Sequence, residues 1–218
     1  MTSSGDRRPI AARQLRISVA ITDWLAARRV SPNAISVAGL LCGALAGVAF
    51  ALTIDAPGLA WLLWLVGALL VQLRLAANMF DGMVAIARGM ASPVGELYNE
   101  IPDRLSDSAV LIGLGVADGD WALGALAALT SMATAYVRAV GKAAGAPSDF
   151  GGPMAKQQRM ALATVAALWL ALAPAAWQQH LPPDQLLRAL LLLIIVGTGL
   201  TAGRRLRHIA SALRDRQQ

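Results

Sequence analysis

Asp81 and Gly82 fall where a long apolar run ends, and a polar cluster from Gly95 through Asn99, Glu100 and Asp103 to Asp107 opens the next. Carboxylates at the mouth of a membrane span are costly to bury, so they mark a working site. Arg74, Asn78, Asp81 and Ala85 recur at intervals of four, three and four and share one helical face. Asn99, Asp103 and Asp107 recur every four residues and share another, with Glu96 and Glu100 as an adjacent stripe. Packed side by side, two such helices bring Asp81 and Asp103 together beside the amide oxygens of Asn78 and Asn99. An oxygen-rich pocket of this kind suits Mg²⁺ or Mn²⁺, and with it a metal-assisted reaction at a membrane surface. Arg74 lies within the apolar run itself. An unpaired charge there is expensive, so pairing with Asp107 or Glu100 is expected ahead of contact with a lipid phosphate.

The elements that must position these groups follow from composition. Of 218 residues, 56% are hydrophobic and only 15% charged, against about 25% charged in soluble domains. The apolar runs are unbroken and lack the period-two alternation of a barrel. The fold class is therefore an all-α integral membrane protein. Six runs, about 34–53, 58–80, 104–117, 121–142, 158–176 and 185–203, are expected to be transmembrane helices, most near the ~20 residues a bilayer requires. The third is short unless it recruits residues near Asn99 to Asp107. Within 13–30, Ile17, Ile21, Trp24 and Leu25 share a face, which predicts an N-terminal amphipathic juxtamembrane helix. A plain juxtamembrane linker is the other reading. The expected organisation is a basic tail and interfacial helix over 1–30, a six-helix domain over 31–204 and a basic cytoplasmic tail over 205–218.

The net charge of +6 does not point to nucleic acid, because the Lys and Arg residues cluster at the ends of apolar runs. The N-terminal arginines, Arg88, Arg104, Arg138, Lys142, Lys156, Arg159 and the C-terminal arginines fall on one side, and Arg188 alone lies on or near the other. The bias predicts cytoplasmic termini and a cytoplasmic site, with anionic membrane lipids as partners. Cys42 has no partner cysteine in the sequence and reads as packing. His180 and His208 read as surface residues, and the tryptophans as interface anchors.

The acidic segment resembles the signature of the CDP-alcohol phosphotransferase family, D-x2-D-G-x2-A-R-x8-G-x3-D-x3-D. The matching positions here are Asn78, Asp81, Gly82, Ala85, Ile86, Gly95, Asn99 and Asp103. The Ser92-Pro93 step, the continuation to Asp107 and Ser31-Pro32-Asn33 before the first span are also similar. Three positions depart: asparagine replaces two aspartates, and Ile86 replaces an arginine. Asparagine still offers an oxygen but no charge. Glu100 and Asp107 are candidates to supply the missing charge.

The resemblance implies transfer of a substituted phosphate from a CDP-linked lipid donor, most often CDP-diacylglycerol, to a small polar alcohol, with release of CMP. It implies Mg²⁺ or Mn²⁺ held by Asp81, Asp103, Asn78 and Asn99. It makes Asp103 the general base and brings the nucleotide to Asn78, Gly82, Ala85 and Gly95. Gly82 and Gly95 fit equally well as helix-packing residues. Arg138, Lys156 and Arg159 resemble the family's later basic region and are candidates for an acceptor phosphate, as in glycerol 3-phosphate or inositol phosphate. Ordinary positive-inside charge is the alternative for those three. A homodimer is implied by resemblance alone. The rival reading is a weak or inactive member that binds a nucleotide lipid or scaffolds a partner.

Overall fold

The computed structural model describes residues 11–90 and 93–215. The basic tail at 1–10, the Ser92 step and the side chain of Glu96 lie outside the described residues. Among those described, every regular element is helical: α1 (Arg16–Ala27), α2 (Pro32–Ala51), α3 (Ala60–Ala87), α4 (Pro93–Ala117), α5 (Trp121–Ala143), α6 (Lys156–Leu172), the single turn α7 (Ala175–Gln178) and α8 (Pro183–Asp215), with 3₁₀ turns at Ala11–Gln14 and Pro57–Leu59.

Among the described residues, four stretches are long and apolar enough to cross a bilayer: Pro32–Ala51, Pro57–Ala87, Trp121–Ala143 and Pro183–Asp215. The core inverts the usual pattern. Arg74, Arg159 and Asp107 are buried, whereas Leu45, Leu69, Leu129 and Leu200 are all more than half exposed. That arrangement belongs in hydrocarbon, where polar groups face the bundle interior. The protein is an integral membrane protein.

Three boundaries differ from the sequence reading. The short third run is the latter part of α4, which begins at Pro93 and continues through Pro102. The fifth run stops at Leu172, where Ala173 is extended ahead of Pro174, as a residue before proline prefers. The segment expected as a tail from 205 continues α8 to Asp215. Tertiary contacts hold it there: Arg205 donates to the carbonyls of Gly151 at 3.0 Å and Thr134 at 2.9 Å, and Ile209 packs on Gly141 of α5.

Close approach of α2 to α4 sets the geometry of the site. A Cβ on Gly47 would lie 2.3 Å from the Ala109 carbonyl oxygen, and one on Gly43 would lie 2.4 Å from Ser106 Cβ. Helix association in lipid relies on such small residues, because hydrocarbon supplies no hydrophobic drive between helices. Deeper in the bundle, Phe50 and Trp64 meet with ring centroids 5.2 Å apart, on a core that includes Val71, Leu111, Leu187 and Ile194.

Helix α3 carries Asn78 and Asp81 in its C-terminal turns. At 1.5 Å per residue, Asp81 lies about 32 Å along from Ala60, roughly one hydrocarbon thickness. The helix closes where Gly89 adopts φ 62° and Met90 N–H donates to the Ala85 carbonyl at 2.8 Å, a left-handed C-terminal cap. Helix α1 closes in the same way with Arg29 at φ 56°, and Val30 donates to Leu25 at 3.1 Å.

Candidate active site

Helices α2, α3 and α4 line a narrow polar cleft whose walls include Ser36, Arg74, Asn78, Asp81, Asn99 and Asp103. Asp81, 3% exposed, accepts from Ser36 Oγ at 2.7 Å, from Asn99 Nδ2 at 2.9 Å and from the Gly82 backbone N–H at 2.5 Å. Asn78 Nδ2 donates to Asn99 Oδ1 at 3.3 Å. The Lys156 ammonium donates to Asn78 Oδ1 at 2.8 Å and to Asp103 Oδ2. The two polar faces expected on α3 and α4 thus meet, with the first residue of α6 between them.

Arg74 anchors the far wall. It donates from Nε to Ser106 Oγ at 2.9 Å and from Nη2 to Asp103 Oδ1 at 2.7 Å, and Nη2 lies 2.5 Å from Asp107 Oδ1. Of the partners expected for it, Asp107 is one and Glu100 is not. Arg159 reaches Asp107 from the other side at 3.7 Å and donates to the Met154 carbonyl at 2.9 Å. Pro102, inside α4 at the cleft wall, cannot donate to the Tyr98 carbonyl and loosens the helix there.

Several sequence candidates sit elsewhere. Asp107, considered for extra metal charge, is locked between Arg74 and Arg159 rather than turned to Asp81. Glu100, considered with it, pairs with Arg104 at 2.9 Å and Arg138 at 2.6 Å. Arg159 is 1% exposed and offers no surface for a phosphate. Arg138, 19% exposed, pairs with Glu100 and lies over the Phe150 ring. Ala85 and Gly82 lie in the last turns of α3, and Gly95 in the first turn of α4. Gly82 has room around it, since a Cβ there would meet only Arg13, at 4.0 Å. Ile86, at the signature's arginine position, is 57% exposed. Arg88 does not replace that arginine: it donates to the Val30 carbonyl at 2.8 Å.

Ser36, Ser106 and Arg104 were not legible as site residues. Ser36 comes from α2, and nothing in its own neighbourhood marks it. Arg104 and Ser106 lie inside the acidic segment but off its four-residue period, so neither carries a signal of its own.

The donor set suits a hard cation. Asp81, Asn78 and Asn99 present carboxylate and amide oxygens around a polar cleft, and Mg²⁺ commonly takes one or two carboxylates with substrate phosphates and water completing its shell. No cluster of three or more His, Cys, Asp or Glu is found among the described residues, so amide and substrate oxygens have to complete the set.

An all-helical membrane bundle with a narrow polar cleft lined by carboxylate and amide side chains defines the class. The family profile of CDP-alcohol phosphatidyltransferase matches residues 29–201, and the chain belongs to that family. It is 31% identical over 134 residues to a phosphatidylinositol phosphate synthase of Mycolicibacterium smegmatis, a match spanning 58% of this chain and 58% of that relative. The fold resembles the crystal structure of Mycobacterium tuberculosis phosphatidylinositol phosphate synthase with CDP-DAG bound, at TM-score 0.71 and 25% identity over 91% of this chain and 96% of that one. The same mycobacterial enzyme in complex with manganese and citrate matches at TM-score 0.69 and 25% identity, covering 88% of each chain.

Proposed function

We propose that this chain transfers a phosphatidyl group from CDP-diacylglycerol to the hydroxyl of a small alcohol or alcohol phosphate, with release of CMP. Glycerol 3-phosphate and inositol phosphate are the favoured acceptors. The observation that carries the reading is the meeting of Asp81, Asn78 and Asn99 from α3 and α4 at one cleft. Family membership and the synthase relatives support it.

In the transfer, the acceptor oxygen bonds to the lipid-side phosphorus, the bond from that phosphorus to the CMP oxygen breaks, and the hydroxyl proton leaves. Asp81, Asn78 and Asn99 would hold a Mg²⁺ or Mn²⁺, with Asp103 on the opposite wall. The ion supplies charge neutralisation for the pyrophosphate and the departing CMP. Arg74 fixes Asp103 through Oδ1 and the Lys156 ammonium holds Oδ2; the remaining lone pair of Oδ2 is the one assigned to take the hydroxyl proton. Gly82 keeps the nucleotide's path open. An acceptor phosphate is met by Arg138 and by Lys156; Arg159 serves by holding Asp107.

The site faces the cytoplasm, and α4 and α6 complete a six-span bundle. α1 lies in the interface: Ser18 and Thr22 pack inward while Ile17, Ile21 and Trp24 are exposed. The assembly is a homodimer. The second reading, a catalytically weak member that binds nucleotide lipid, is favoured by the two asparagines and by the cations already resting on Asp103. Purified protein given CDP-diacylglycerol, Mn²⁺ and a panel of alcohols decides between them. CMP release with one acceptor supports the transferase, and no release with any supports the binder.

A further inference from the structure

We infer that the ammonium of Lys156 permanently occupies one cation position of this site, so that the chain binds a single divalent ion, on the Asp81 side. The inference rests on the transferase reading above for the identity of the site, and it concerns how this chain's own residues fill it.

Three observations carry it. First, Lys156 Nζ sits between the oxygens of two of the four signature positions, Asn78 Oδ1 and Asp103 Oδ2, each within hydrogen-bond reach. A carboxylate oxygen and an amide oxygen converging from two helices are what a cation would use, and here a lysine head uses them. The Lys156 side chain is only 13% exposed, so this is a packed arrangement and not a surface encounter.

Second, two of the site's three buried carboxylates are already neutralised. Asp103 and Asp107 meet the cations Arg74, Lys156 and Arg159. Asp103 meets Arg74 on one oxygen and Lys156 on the other, with Arg104 at 3.6 Å. A divalent ion placed there would face three cationic side chains at close range in a poorly screened setting. Asp81 differs: the three donors on it, Ser36, Asn99 and Gly82, bring no formal charge.

Third, the substitutions are mutually consistent. Asn78 and Asn99 each lack the charge of an aspartate, and Asn78 gives its oxygen to Lys156. A site with asparagine at two aspartate positions and a resident ammonium needs fewer metal charges to stay neutral. The backbone holds the ammonium in register, because Lys156 is the first residue of α6 and the preceding turn is pinned by Met154 N–H donating to Thr201 Oγ1 at 2.9 Å.

The test is Mn²⁺ stoichiometry on the full chain in detergent, read by equilibrium dialysis and electron paramagnetic resonance. The wild type is expected to bind one Mn²⁺ with an uncoupled spectrum, and Asn78→Asp/Asn99→Asp with Lys156 retained is expected still to bind one. Adding Lys156→Met to that pair should admit a second, magnetically coupled Mn²⁺, while Lys156→Arg in its place should keep the count at one. Lys156→Met in the wild-type background should tighten Mn²⁺ about tenfold, the equivalent of one lost charge repulsion of ~1.4 kcal/mol. Two coupled Mn²⁺ in the wild type overturn the inference, as does an unchanged single ion in the triple variant with native helicity by circular dichroism. If the triple variant does not fold, the wild-type count and the Lys156→Arg count still decide. CMP release is scored separately. Absent release with one bound Mn²⁺ removes the transferase reading and leaves the single-ion site, whereas normal release with two ions does the reverse.

Discussion

Asn99 on α4 donates from Nδ2 to Asp81 Oδ1 on α3 at 2.9 Å, so two signature residues 18 positions apart hold one another across the cleft. The bond requires the amide nitrogen of Asn99 to face Asp81, and it sends the amide oxygen toward Asn78. Asn99→Asp would place two carboxylates in contact. It is expected to tighten Mn²⁺ binding and, without metal, to lower stability by ~1–3 kcal/mol, the cost of a buried group left without its partner. Calorimetric titration with Mn²⁺ and thermal unfolding with and without chelator measure the two effects.

Arg74 is the structural keystone of the polar core. Arg74→Leu strips the counter-charge from Asp103 and Asp107, both less than a tenth exposed. Breaking one side of a buried charge network costs about 3–5 kcal/mol. The variant should unfold at markedly lower denaturant in micelles. Arg74→Leu combined with Asp107→Leu should recover part of the loss.

The α2–α4 crossing gives a paired prediction. Gly47→Ala forces a methyl group into the Ala109 carbonyl, and overpacking of this kind costs roughly 1–3 kcal/mol. Gly199→Ala, in α8 with nothing within 4 Å, should be neutral or stabilise by up to ~1 kcal/mol through helix propensity. The unfolding midpoint should fall for Gly47→Ala and hold or rise for Gly199→Ala.

The fold was legible where apolar runs exceed the length of a span. It was less so where tertiary contacts override local composition. Arg205 and Ile209 carry α8 past the point where hydropathy ends, because a loop carbonyl and a glycine on α5 receive them. Of the site, the α3 and α4 faces were readable from period alone. Ser36 was not, since a lone serine on an apolar helix carries no pattern. Asp107 and Arg159 share the expected periodicity and clustering, yet both are turned into the core, where Asp107 pairs with Arg159 and with Arg74. Sequence spacing gives the face but not which charges cancel.

Arg29 holds a left-handed conformation at the end of α1, which costs a side chain with a Cβ about 1–2 kcal/mol. Arg29→Gly should stabilise the α1–α2 junction by up to ~1 kcal/mol, read as slower proteolysis near residue 29. Arg29→Val should accelerate cleavage at the same place.

The central claim is that Asp81 anchors a divalent ion for phosphatidyl transfer. It is tested most directly by CMP release from CDP-diacylglycerol, measured for the wild type and Asp81→Asn across a Mn²⁺ titration. The wild type should turn over only with metal present, and Asp81→Asn should lose at least ~10²-fold, the scale expected when a single transition-state charge stabiliser is removed, while keeping its fold. Equal, metal-independent release from both proteins would contradict the account.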